Sequence, residues 1–187
     1  MGLRVSFEID DHDLKHFRLV MREARKTVAR MAPEDIVAAA EIQLHNIADR
    51  SVPGFILERL QKLRLMIRML TDLEWRLPHE EAKRVLNALA YFTEPEDLIP
   101  DHIPGLGFLD DAIMVELCVR ELKHEIEAYQ DFCDYRNQNR NAGGRAKALS
   151  REDWLEQRRQ KLQSRMRRRR EKNQRSGSDN AALRLFD

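Results

Sequence analysis

The chain has 187 residues, enough for one full core or for a small core with an appendage. Its 42% apolar content argues for a folded body, 35% charged residues for helices with wide solvated faces, and only 6% aromatics for an aliphatic core. Two cysteines, no long apolar leader and no uncharged apolar run of membrane-spanning length argue against a secreted or membrane-spanning protein and predict a cytoplasmic one.

The formal net charge of +1 conceals a division. Residues 1–142 carry seven more acidic than basic side chains, and residues 143–187 carry eight more basic than acidic ones. An acidic body with a basic tail suits a contact with RNA, DNA, anionic lipid or an acidic protein, and equally a contact between the tail and its own body.

Residues 3–9 alternate loosely and suit a short extended arm. A first helix is capped at Asp11 or Asp13 and carries Leu14, Phe17, Met21, Ala24, Val28 and Met31 at three- and four-residue steps. Pro33, followed by Glu34 and Asp35, opens a second, packed through Ile36, Val37, Ala40 and Leu44. After Ser51-Val-Pro-Gly a third helix repeats Ile56, Leu60, Leu63, Ile67 and Leu70 in heptad steps, widened by Leu57, Leu65, Met66, Met69 and Leu73, with Trp75 and Leu77 closing the core. The fourth runs from Pro78 to about Phe92, with Glu80 and Glu81 in its first turn. A fifth starts at Asp110 and continues through Ala112, Val115, Val119, Leu122, Ile126, Tyr129 and Cys133. Cys118 and Cys133 are too far apart along one helix to bridge.

Between the fourth and fifth helices lies YFTEPEDLIPDHIPGLGFLDDAIMVEL, Tyr91 to Leu117, with three of the six prolines. Pro95, Pro100 and Pro104 forbid an uninterrupted helix, while Leu98, Ile99, Ile103, Leu106 and Phe108 are too apolar for a free linker. The expectation is a compact Pro/Gly-rich connection shaped by Pro100, Pro104, Gly105 and Gly107. Within it, DLIPDHIPGLGFLDDA, Asp97 to Ala112, closely resembles the signature of the YkvA-like family, a DUF1232 domain of unknown function. Asp97, Ile99, Pro100, Asp101, Ile103, Pro104, Gly107, Asp110 and Asp111 fall in the family's order, and the likeness covers about residues 80–122. The resemblance implies a small helical module, sometimes attached to membrane or other domains, and brings no established activity.

Asn137 to Gly144 ends in a glycine pair and marks the clearest boundary. The expected organisation is a helical bundle over 1–142, a linker over 143–150, a basic helical arm over 151–175 capped by Ser150, and a flexible tail over 176–187. Trp154, Leu155, Leu162 and Met166 give the arm a thin apolar stripe. The fold class is all-α: a compact five-helix bundle with the Pro/Gly-rich connection before its fifth helix, plus a basic C-terminal helix.

Four groups of residues bear on chemistry. Asp97, Asp101, Asp110 and Asp111 could gather round magnesium or calcium through hard oxygen ligands, but helix capping and Asx turns explain the same aspartates. No other cofactor is expected. Gly105 and Gly107 lack the pattern of a nucleotide loop. Glu121-x-x-His124, with Glu125 beside it, is half of a di-iron helical motif whose second half is missing, and His12 and His16 lack the zinc-protease pattern. The fourth, Arg158, Arg159, Lys161, Arg165, Arg167, Arg168, Arg169, Arg170, Lys172 and Arg175, would surround a helix and meet a phosphate backbone with high salt sensitivity and little sequence preference. The leading expectation is a non-enzymatic helical interaction or adaptor protein with a protein partner or self-association. The alternatives are nucleic-acid binding through the arm and a metal-dependent enzyme built on the aspartates.

Overall fold

The computed structural model describes residues 8, 10–48, 54–93, 109–140 and 148–175. Among these residues seven α-helices form an all-α bundle: α1 (Asp11–Val28), α2 (Pro33–Ala48), α3 (Gly54–Thr71), α4 (His79–Leu89), α5 (Leu109–Glu121), α6 (Lys123–Arg140) and α7 (Ala148–Arg175). A 3₁₀ turn over Ala90–Thr93 finishes the segment expected as the end of the fourth helix.

This corrects the expected five-helix bundle. The single long helix expected from Asp110 to Cys133 is two helices, divided at Leu122. The Leu122 N–H still donates to the Cys118 carbonyl at 2.9 Å, and the Ile126 N–H to the Leu122 carbonyl at 2.9 Å. Between them, however, a guanidinium nitrogen of Arg84 in α4 donates to the Glu121 carbonyl at 3.4 Å. A side chain that inserts at a carbonyl in this way interrupts the main-chain ladder. The periodic apolar pattern runs on across the break and gives no sign of it. The Pro/Gly-rich connection, including Pro100, Pro104, Gly105 and Gly107, lies outside the described residues, as do all residues of the expected arm over 3–9 except residue 8, so no Pro/Gly hinge is part of the described architecture.

The N-cap of α1 is Asp10: its carboxylate accepts from the His12 and Asp13 amides at 2.7 and 2.9 Å, and Asp13 returns a bond to the Asp10 amide at 3.1 Å. This reciprocal box satisfies amides that have no partner within the helix. Leu14, Phe17, Met21 and Ala24 of α1 enter the core with Ile36, Ala40 and Leu44 of α2. On α3 the heptad residues Ile56, Leu60, Leu63 and Ile67 are buried, and of the residues expected to widen the stripe Met66 and Met69 are buried while Leu57 and Leu73 are exposed.

The turn after α3 fixes the far end of the bundle. Asp72 Oδ1 accepts from the Glu74 and Trp75 amides at 2.9 and 3.1 Å, and Oδ2 meets the Tyr129 hydroxyl at 3.0 Å and Arg136 at 2.8 Å. Burial alone would raise the Asp72 carboxyl, but these hydrogen bonds and the Arg136 charge outweigh it and hold it below the usual range. Arg76 adopts φ 47, a left-handed conformation that costs a non-glycine residue about 1–2 kcal/mol. The turn seats Trp75 with no solvent exposure, 5.1 Å from the Phe132 ring and 5.8 Å from the Tyr129 ring.

A candidate interaction surface on the C-terminal helix

Helix α7 packs lengthwise on α6. Its buried residues, Leu155, Arg159, Leu162 and Met166, recur at steps of four, three and four, so they occupy one face. Leu155, Leu162 and Met166 belong to the same apolar cluster as Trp75 and Phe132. Trp154 stacks on Tyr135 of α6 at 3.9 Å between ring centroids, and the Arg158 guanidinium lies 4.6 Å from the centroid of the same tyrosine. Ser150, expected as the cap, is inside the helix, which starts at Ala148.

The polar contacts of α7 fall into two groups. At its N-terminal half, Arg159 donates to the Glu74 carbonyl at 2.9 Å and also pairs with Glu156. Gln163 donates to the carbonyls of Trp75 and Arg76 at 3.1 and 3.3 Å, so α7 supports the strained turn directly.

At the C-terminal half the contacts are ionic and partly buried. Glu81, in the first turn of α4, is 1% exposed, and Glu125 of α6 is fully buried. Arg167 and Arg170 approach Glu81 Oε1 at 3.1 and 3.5 Å, and Arg170 also reaches Glu125 Oε1 at 3.3 Å. Arg84 closes the group, 3.1 Å from Glu125 and 3.3 Å from Glu121. Three carboxylates and three guanidiniums thus join α4, α5, α6 and α7 in a charge-balanced network, the arrangement that buried charge requires. Around its edge Arg169 pairs with Glu127 at 2.8 Å and Arg165 pairs with Asp131. Asn173 lies 2.9 Å from His124 Nε2. Burial and the neighbouring Arg169 charge lower the His124 imidazole below its ordinary value.

The structure therefore divides the ten basic residues singled out in the sequence. Arg159, Arg165, Arg167, Arg169 and Arg170 bind groups of the body, and Arg158 covers Tyr135. Lys161, Arg168, Lys172 and Arg175 are exposed, and among the described residues none of them has an ion-pair partner. Arg168 only donates to the Ser164 carbonyl of its own helix, at 3.4 Å. The sequence marks Glu81 only as a first-turn acid and Glu125 only as the neighbour of the Glu121-x-x-His124 pattern. A signal for them existed in the excess acid of the body, but nothing in their spacing marks them as buried.

Of the aspartate set, Asp97 and Asp101 lie outside the described residues. Asp110 and Asp111 occupy the first turn of α5, both buried, and the Tyr91 hydroxyl stands 3.5 Å from Asp110 Oδ2. A different group, Asp10, His12 and Asp13, brings ligand atoms within 4.8 Å of one another and could hold a divalent cation. All three are exposed, and both aspartates already serve the cap of α1. Glu121, His124 and Glu125, the half di-iron pattern, are engaged instead with Arg84, Asn173 and Arg170. Cys118 is buried and Cys133 half-buried, both as thiols, and burial pushes both upward.

These features define a helical-bundle protein with an acidic body and a basic helix docked along it. A family model described as "Protein of unknown function (DUF1232)" matches residues 84–117. The chain is also 36% identical over 79 residues to "Uncharacterized membrane protein YkvA" of Bacillus subtilis (strain 168), a likeness covering 39% of this chain and 73% of that protein. The chain belongs to the DUF1232, YkvA-like family. The family-model match begins at Arg84, a member of the ionic network, and ends at Leu117, before α6 and α7. No solved structure matches the chain. Among the described residues no helix is long and apolar enough to cross a membrane.

Proposed function

We propose that the protein is a non-enzymatic helical interaction module of the cytoplasm in which α7 is the contact element for a polyanionic partner. The observation that carries this reading is the division of the α7 cations: the inner arginines are neutralised by the body, while Lys161, Arg168, Lys172 and Arg175 face solvent without ion pairs among the described residues. Long-range attraction to an anion therefore arises from the outer side of a helix that is already positioned. The test is binding of the full chain to heparin, compared with K161Q/R168Q/K172Q/R175Q. Loss of binding in the variant supports the reading, and unchanged binding contradicts it.

A second reading takes its support from the Bacillus relative, whose description calls it a membrane protein. Here the same outer face meets an anionic bilayer surface. Retention of the full chain on vesicles rich in phosphatidylglycerol, and loss of retention in the same variant, would favour it.

A further inference from the structure

Resting on the polyanion reading above, we infer that the outer face of α7 is a docking surface for the phosphate backbone of double-stranded nucleic acid, without sequence recognition. Lys161, Arg168 and Arg175 are spaced by seven residues, and Lys172 falls between the last two on the same side. Because all four stand on one 28-residue helix, the first three form a nearly straight row with a repeat of about 10.5 Å and a length of about 21 Å. A duplex presents one phosphate charge for every ~1.7 Å of its axis, counted over both strands, so a row of this length lies in a dense negative field whatever its register.

Two features favour a duplex over a bilayer. Ser164 and Glu171, which stand beside the cations, are exposed and polar, while the apolar side chains Leu155, Leu162 and Met166 are buried on the opposite face. The surface thus offers no apolar anchor for the headgroup boundary, and attachment to lipid through charge alone generally needs a second signal. In addition, Arg167 and Arg170 hold α7 on Glu81 and Glu125, so the row exists before the partner arrives and binding requires no folding step.

The experiment titrates the full chain against a short mixed-sequence DNA duplex, and in parallel against phosphatidylglycerol vesicles and heparin, over a range of salt. Four phosphate contacts predict a slope of log K against log salt of about −3.6, or roughly a 100-fold loss of affinity between about 50 and 200 mM salt. K161Q/R168Q/K172Q/R175Q should abolish duplex binding, and R168Q/K172Q should reduce the slope by about two. Binding to heparin or vesicles without binding to the duplex overturns this inference and leaves the polyanion reading standing. Binding to none of the three overturns both. Duplex binding that survives the fourfold variant overturns the assignment to this face.

Discussion

Arg170 of α7 reaches the carboxylate of Glu125 at 3.3 Å, where the acid side chain has no solvent exposure. Because the same guanidinium lies 3.5 Å from Glu81, a basic residue 30 or more positions beyond α6 completes a buried site in the body. The tail is in this respect part of the fold, and its charge is partly internal charge compensation.

Breaking that compensation from the buried side should be costly. Glu125→Gln leaves Arg84 and Arg170 short of a carboxylate in a place shielded from water and should destabilise the protein by about 3 kcal/mol. At about 2–4 °C per kcal/mol for a chain of this size, the melting temperature falls by about 6–12 °C. Arg167→Gln removes a half-exposed partner whose acid keeps Arg170, and should cost less than about 1 kcal/mol. Equal melting shifts in the two variants would contradict the network.

His124 makes stability depend on pH. Burial first, then the Arg169 charge, disfavours the imidazolium in the folded protein, against smaller opposing effects of Glu127 and Glu125. A lowered folded value means that the folded state binds fewer protons than the unfolded chain. The contribution of the neutral ring is therefore complete above the ordinary value of 6.5 and is lost as pH falls through the lower folded value. Urea titrations at pH 7.5 and at about pH 5.5 should show a loss of stability that shrinks in His124→Gln. A pH dependence identical in the variant would refute this role.

Removal of α7 should not release an intact bundle. A chain ending at Lys147 loses the burial of Leu155, Leu162 and Met166, each of which contributes about 1.5–3 kcal/mol, a total comparable with the roughly 5–15 kcal/mol stability of a whole domain. Such a chain should bind a hydrophobic dye and lose its cooperative melt. A sharp transition close to that of the full protein would show the helix to be dispensable.

Much of this fold was legible in the sequence because it rests on local rules. Leu14, Phe17, Met21 and Ala24 recur with helical period and are buried together, and Pro33 with its acidic neighbours marks the start of α2 as expected. The break at Leu122 was not legible, since the apolar pattern continues through it and the guanidinium that meets the Glu121 carbonyl there comes from α4. The role of α7 was half legible. Leu155, Leu162 and Met166 announced one apolar stripe, but arginines that bind the body and arginines that face water read alike along the chain. What separates Arg170 from Arg168 is the position of Glu81 and Glu125, contributed by helices more than 40 residues away.

Hydrogen exchange of the full chain, read peptide by peptide across α7 and compared with α6, tests the central claim that α7 is built into the body. The buried contacts of Arg159, Leu162, Met166 and Arg170 predict protection over residues 155–170 similar to that of residues 123–137, at both about 50 and 300 mM salt, because buried ion pairs are weakly screened. Exchange of α7 at the rate of an isolated helix while α6 remains protected would contradict it.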